Sequence, residues 1–253
     1  MSISAIDIRM KEQYEDRYRI LLPRRSYTIV RVDGRAFHTW TRGLSRPYDA
    51  SLLDAMNLTA LELCKEMAGA RIGYVQSDEI SVLLTDFEKI DTAAWFDNNL
   101  QKLCSISASI ATAAFNQVWV DWNERKIPAH FDSRVFQIPD PIEVENYFVA
   151  RQKDAVRNSV AMVAQHYCSH KELHGVPVEK MHDLIHKHGD NWSNYPVRFK
   201  HGGAVVKMPQ PATTKMTKVG EVEIPPHDDW KLVDPPIFTL DREWLSSRVP
   251  RHE

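Results

Sequence analysis

The sequence predicts an α+β fold: an antiparallel sheet built in the order β-α-β-β-α-β, with a helical C-terminal part after it. Three observations predict it. Short β-branched and aromatic runs recur at residues 26–33, 71–76, 80–85 and 133–138. Two long segments of helical period lie between the first and second runs and between the third and fourth. Only the polar turn Ser77-Asp78-Glu79 separates the second run from the third, so these two form a hairpin.

The elements follow in order. Residues 26–33 form the first strand, and a loop with Gly34, Gly43 and Pro47 follows. Asp49-Ala50-Ser51 caps a helix to about residue 68, with Leu52, Leu53, Met56, Thr59, Ala60, Leu63 and Met67 on one face, and Gly69 ends it. Strands at 71–76 and 80–85 come next, then a helix over 92–118 whose centre is rich in Ala and Ser, so that something packs closely against it. A strand at 133–138 stops at Pro139, and a long helix spans 142–166. A short helix is expected within 175–188, a strand pair around Gly202-Gly203 within 199–208, and loop from Pro209 onward. Residues 1–138 are expected to hold the catalytic domain and 139–253 a helical, loop-rich region that completes it.

This order is that of a ferredoxin-like split β-α-β fold. A right-handed crossover sets the second strand parallel to the first, and the third strand inserts between them. The end of strand one and the hairpin turn then share one rim, which brings Asp33 to Asp78.

Composition narrows the class. The 253 residues are 43% hydrophobic and 26% charged, as in ordinary globular proteins. No secretory signal is legible at the start, and no apolar stretch is expected to span a bilayer. Three scattered cysteines, Cys64, Cys104 and Cys168, argue against a disulfide framework and for a reducing cytoplasm. The net charge of −2 excludes a globally basic nucleic-acid binder, so a polyanion site must be a local patch.

Two acidic signatures carry the chemistry. Asp33-Gly34-Arg35 follows the first strand, and Ser77-Asp78-Glu79 is the hairpin tip. Each alone is an ordinary turn. Together they place three carboxylates where mutual repulsion calls for a cation, and oxygen ligands at a strand end suit Mg²⁺. Two such ions are a common device for moving phosphoryl or nucleotidyl groups. Arg35, His38, Arg42 and Arg46 nearby suit a triphosphate, and the amides of Arg35, Ala36 and Phe37 form a candidate anion nest. No Walker loop is present. On helix 142–166, Arg151, Lys153 and Arg157 are the better candidates for a phosphate path. His182 and His186, and the looser group His166, Cys168, His170 and His174, read as surface rather than zinc ligands. Trp95, Trp119 and Trp122 read as packing residues rather than base-stacking ones.

Five separated motifs, in order, resemble the tRNA(His) guanylyltransferase family and its Thg1-like relatives. They are Arg31-Val32-Asp33-Gly34-Arg35-Ala36-Phe37-His38, Arg46-Pro47-Tyr48-Asp49, Tyr74-Val75-Gln76-Ser77-Asp78-Glu79-Ile80-Ser81, Phe131-Asp132-Ser133-Arg134-Val135, and Arg151-Gln152-Lys153-Asp154-Ala155-Val156-Arg157-Asn158-Ser159. The resemblance implies a polymerase-like palm that adds nucleotides to the 5′ end of tRNA in the 3′-to-5′ direction, with two Mg²⁺ ions and with GTP and ATP as substrates. It implies metal ligation by Asp33, the Gly34 carbonyl and Asp78, with Glu79 as the adjacent acid. It implies nucleotide contacts from Asp33 to His38, at Arg46 and Asp49, and at Ser77 and Asp78, and a homotetramer. Where eukaryotic members have His-Ile-Asn-Asn, this chain has Val156-Arg157-Asn158-Ser159, which retains Asn158 and is closer to the bacterial or phage-type relatives that repair truncated tRNA ends. The competing readings are a nucleotide cyclase or cyclic-dinucleotide synthase on a similar palm, and a non-enzymatic RNA-binding module.

Overall fold

The computed structural model describes residues 4–122, 127–217 and 220–252. Helix α1 (Ala5–Met10) continues through two tighter or wider helical turns to Tyr18. Strand β1 (Tyr27–Gly34), helices α2 (Phe37–Trp40) and α3 (Ala50–Glu66), strands β2 (Ala70–Gln76) and β3 (Glu79–Leu84), helix α4 (Leu100–Trp122), strand β4 (Phe131–Ile138) and helix α5 (Pro141–Tyr167) follow. The remainder is α6 (His170–Leu173), α7 (Val178–Lys187), α8 (Val197–His201), β5 (Gly203–Gln210), β6 (Thr213–Thr217), β7 (Gly220–Ile224), β8 (His227–Val233) and α9 (Arg242–Ser246).

Six strands pair antiparallel in the order β4-β1-β3-β2-β5-β8, so β3 does insert between β1 and β2. The pleat of β1 divides its side chains between two cores. Val30 and Val32 join α3 and α4 on one face, while Tyr27 and Ile29 join Val144 and Phe148 of α5 on the other. With helices on both faces, every residue of β3 is buried. Asp49 caps α3, its carboxylate accepting from Leu52 N at 3.0 Å. Asp140 and Pro141 start α5 in the same manner.

Several sequence expectations are corrected. The helix expected from residue 92 begins at Leu100, because Phe96, Asp97 and Asn98 sit at positive φ and break the chain direction. The expected strand pair around Gly202-Gly203 is instead the end of α8 and the start of β5. Gly202 turns that corner at φ 76°, where a Cβ would strike the Val75 carbonyl and the Tyr74 hydroxyl. The segment after Pro209, expected to be loop, carries the β6–β7 hairpin and β8. Proline is tolerated in β5 because β2 pairs only with Gly203–Val206, which leaves Pro209 paired on one side alone. Residues 139–253 thus add two strands to the sheet that the N-terminal part begins. Gln152 of α5 also holds the C-terminal segment, accepting from Phe238 N at 2.7 Å and donating to the Pro236 carbonyl at 2.8 Å.

One more expectation changes. Residues 100–120 are long and apolar enough, by length and composition, to cross a bilayer. In the fold their inner face, Leu103, Ala111, Phe115 and Trp119, forms part of the core. Trp95 and Trp119 are buried, as expected of packing residues; the Trp122 side chain lies outside the described part.

Candidate active site

The site lies on the rim where β1 ends, β2 turns into β3, and β4 begins. Pairing sets Asp33 opposite Glu79 on one side and opposite Asp132 on the other. The Gly34 amide donates to the Asp78 carbonyl at 3.0 Å, which ties the end of β1 to the hairpin turn. The predicted convergence of Asp33 and Asp78 is therefore what the topology produces. Ser77 turns the hairpin at φ 51° and Ala36 starts α2 at φ 52°, both left-handed and both at the rim.

Electrostatics follow from crowding. Burial first, then the neighbouring Asp78 and Asp132 carboxylates, push the Asp33 carboxyl above the usual range; Arg134 and Arg31 oppose this. Burial also pushes Asp78 up, against its own backbone amide and the Ser77 hydroxyl, and Glu79 adds to the push. Asp33 pairs with Arg134 at 4.0 Å, on a half-exposed side chain.

Glu79 is placed differently from its two neighbours. Its carboxylate points along the sheet face toward α5, where it meets Arg151 at 3.3 Å and Arg31 at 3.8 Å. Arg151 in turn grips Asp154 at 2.6 Å, and Asp154 pairs with Arg157 at 2.7 Å. Ser81 and Tyr147 share a hydroxyl bond of 2.7 Å beside this network. Arg151, expected to line a phosphate path, thus turns inward, because a buried carboxylate draws it there. Lys153 and Arg157 remain exposed.

Beside Asp78 opens a cavity of about 370 Å³ between the α2–α3 loop, α5 and α8. Phe37, His38, Arg46, Asp49, Gln76, Ser77, Asp78 and Asn158 of α5 are among the residues that line it. Asn158 Nδ2 approaches Gln76 Oε1 at 3.5 Å. Two expected nucleotide contacts have other employment. Asp49 spends its carboxylate on Leu52 N and on Ser45 N at 3.2 Å. The Arg35 amide donates to the His130 carbonyl at 2.8 Å, which reduces the expected anion nest to Ala36 and Phe37. Phe37 itself is buried, its ring 5.1 Å from both Trp40 and Phe131, so it shapes the loop from below.

Sequence reasoning assigned no role to Asp132 and Arg134, although both lie in a quoted motif. Only the β1–β4 register, which pairs Asp33 with Asp132, reveals them. It also missed Arg198 and Phe199 of α8 at the cavity wall, where a strand was expected from residue 199. Among the described residues no three His, Cys, Asp or Glu side chains are grouped to hold a metal by themselves, and the histidines of 166–188 form no such group.

A sequence profile of the Thg1 family, described as tRNAHis guanylyltransferase, matches residues 8–139. A bacterial tRNA(His) guanylyltransferase (Thg1)-like protein solved in complex with ATP is 40% identical. It superposes with a TM-score of 0.84 over 97% of this chain and 99% of its own. The chain belongs to the tRNAHis guanylyltransferase family, and it is a nucleotidyltransferase. A second bacterial Thg1-like structure, in complex with GTP, is 38% identical with a TM-score of 0.77 over 97% and 99% of the two chains. The probable tRNA(His) guanylyltransferase of Dictyostelium discoideum is 28% identical over 76% of this chain and 79% of its own. This membership excludes the reading as a non-catalytic RNA-binding module, and the bacterial relatives agree with the bacterial-type motif variants.

The donor set at the rim suits the Mg²⁺ that the family resemblance implies. Asp33 and Asp78 offer two hard carboxylates, both raised above the usual range by burial first and by neighbouring carboxylates second, and Gly34 adds a carbonyl. Two carboxylates and a carbonyl fall short of a closed cage, as is usual for Mg²⁺, which completes its shell with water and substrate phosphate.

Proposed function

We propose that this chain adds nucleotides in the 3′-to-5′ direction to the 5′ end of tRNA, with Asp33, the Gly34 carbonyl and Asp78 holding two Mg²⁺ ions. The carrying observation is that the Gly34 amide, bonded to the Asp78 carbonyl, ties the Asp33 strand end to the hairpin turn, beside the cavity that Asp78 lines, with both carboxyls raised first by burial. Bound there, Mg²⁺ neutralises the triphosphate and makes a nearby hydroxyl a better nucleophile. The cavity is of a size for a nucleotide base and sugar. His38, Arg46 and Ser77 line it and present polar groups to the phosphates. In the reaction the 3′-hydroxyl oxygen of the incoming nucleotide bonds to the phosphorus of an activated tRNA 5′ end. The leaving group is AMP after activation with ATP, or pyrophosphate from a 5′-triphosphate. Lys153, Arg157 and Arg134, all exposed cations near this rim, are the side chains proposed to meet tRNA phosphates.

Asp33→Ala and Asp78→Ala are each expected to abolish nucleotide addition while leaving the circular-dichroism spectrum unchanged. Full activity in either purified variant ends the proposal. Comparing 5′-truncated tRNAs with tRNA(His), and sequencing the extended ends, separates the two modes. Additions that always complement the opposite strand mark template-dependent repair, favoured here by the Val156-Arg157-Asn158-Ser159 variant; an untemplated G on tRNA(His) alone marks guanylyl transfer. Incubation with GTP and ATP without RNA tests the cyclase alternative through a cyclic product. The three free cysteines support a cytoplasmic setting, and the family resemblance supports assembly as a homotetramer.

A further inference from the structure

The N-terminal segment Ala5–Tyr18 is a helical arm that, among the described residues, joins none of the core clusters. None of its residues is buried. Its root is nevertheless fixed: Leu22 N donates to the Asn98 carbonyl and Leu100 N to the Ile20 carbonyl, each at 3.0 Å, and Leu21 bridges Asn99. Along the shaft, apolar side chains recur every fourth residue at Ile6, Met10, Tyr14 and Tyr18, and they are 64%, 38%, 61% and 73% exposed. Side chains four apart share one side of a helix, so these make a stripe that water disfavours.

Charge decides what covers the stripe. The arm carries Asp7, Glu12, Glu15 and Asp16 against Arg9, Lys11 and Arg17, so it has no basic excess to hold a nucleic acid or an anionic membrane. The pattern is instead complementary to itself. When two copies lie antiparallel with Glu12 at the centre, Ile6 faces Tyr18, Met10 faces Tyr14, Arg9 faces Glu15, and Asp7 faces Arg17. A parallel pair would set every charge against its own kind. We propose that the arm is a self-association element, and that it packs antiparallel on the same arm of a second copy of this chain. The pairing is two-fold and closed, as isologous contacts are. It deepens the assembly reading given above by naming one interface, and it rests on that reading.

Sedimentation velocity across a concentration series tests it. The wild type is expected to self-associate. Met10→Glu with Tyr14→Glu, and deletion of residues 4–18, are each expected to weaken association by about tenfold or more. Arg9→Glu alone and Glu15→Arg alone are expected to weaken it, and the two together to restore it. At dilutions where the wild type is also dissociated, the melting temperature is unchanged, because the arm contributes nothing to the core. A wild type that is monomeric at about 100 μM, far above the dissociation constant of any stable assembly, overturns both the arm pairing and the tetramer. An unchanged oligomer in the deletion variant overturns the arm pairing and leaves the tetramer standing. Weakening by the single swaps without restoration by the pair overturns the antiparallel register, and with it the proposal.

Discussion

Gly34 is the residue at which fold and chemistry meet most tightly, and Gly34→Ala exposes the connection. A Cβ built there would lie 2.5 Å from Phe37 Cγ and 2.7 Å from Cε2. Ordinary contact requires 3.4 Å or more, so the ring must yield by about 1 Å. It has nowhere to go: Phe37 is 3% exposed, stacked on Trp40 and wedged against Phe115 and Phe131. Over-packing of this kind costs about 1–3 kcal/mol. At about 2–4 °C per kcal/mol for a chain of this size, the melting temperature falls by about 2–12 °C. The substitution keeps the Gly34 carbonyl, so its effect on catalysis comes from displacement of Asp33 and of the Ala36 turn. A displacement of about 1 Å at reacting groups costs about 10²-fold in rate. Thermal melts and single-turnover nucleotide addition measure the two effects. Phe37→Leu in the same chain empties the space that the new methyl needs, so the double variant loses less than the sum of the singles. Wild-type melting and rate in Gly34→Ala, or strict additivity with Phe37→Leu, would refute the reasoning.

Asp33→Asn and Asp78→Asn are expected to raise the melting temperature at neutral pH in the presence of a chelator while abolishing activity. Both carboxyls have native pKa values above their unfolded ones, so stability falls as pH rises from the ordinary carboxylate range through the raised value. The advantage of each amide variant should therefore be absent at low pH and grow through that window; melts at several pH values check the sign. Glu79→Gln should act oppositely at neutral pH, lowering stability by about 3 kcal/mol, at the low end for a broken buried pair because Arg31 and Arg151 each keep about a fifth of their side chains exposed; urea unfolding measures it. Gln152→Ala leaves Phe238 N and the Pro236 carbonyl unpartnered and should cost about 2 kcal/mol, with faster amide exchange around Phe238 as its local signature.

What the sequence disclosed was whatever local pattern determines. The runs around Asp33 and the Ser77-Asp78-Glu79 turn are short-range features, and strand order alone brings them to one rim. The β1–β4 register is not local: nothing in Phe131-Asp132-Ser133-Arg134 says that Asp132 will lie opposite Asp33. Nor does spacing along α5 reveal that Arg151 turns inward, since that depends on Glu79 being buried on the facing strand. The C-terminal strands were illegible for a different reason. Prolines mark loops in most contexts, and Pro209 sits in a strand only because one side of β5 has already lost its partner there.

The contrast between Asp78 and Glu79 explains how one tight turn can serve both chemistry and structure. The two acids are adjacent, so a strand pleat sends them to different surroundings. Glu79 enters the sheet and is answered by two arginines, Arg31 and Arg151, and Arg151 in turn holds Asp154 of α5. Asp78 stays in the turn, where its supports are its own backbone amide and the Ser77 hydroxyl, with no arginine or lysine among the groups that shift it. A turn stabilised on both residues would hold no unmet negative charge, and a turn stabilised on neither would not hold its shape against the repulsion. By fixing Glu79 and leaving Asp78 without a basic partner, the fold would keep the rim rigid and, on the function proposed above, direct the site's affinity for positive charge to Asp78 at the cavity wall. Reversing the roles, with an arginine placed beside Asp78, should quench that affinity even though every acidic residue remains.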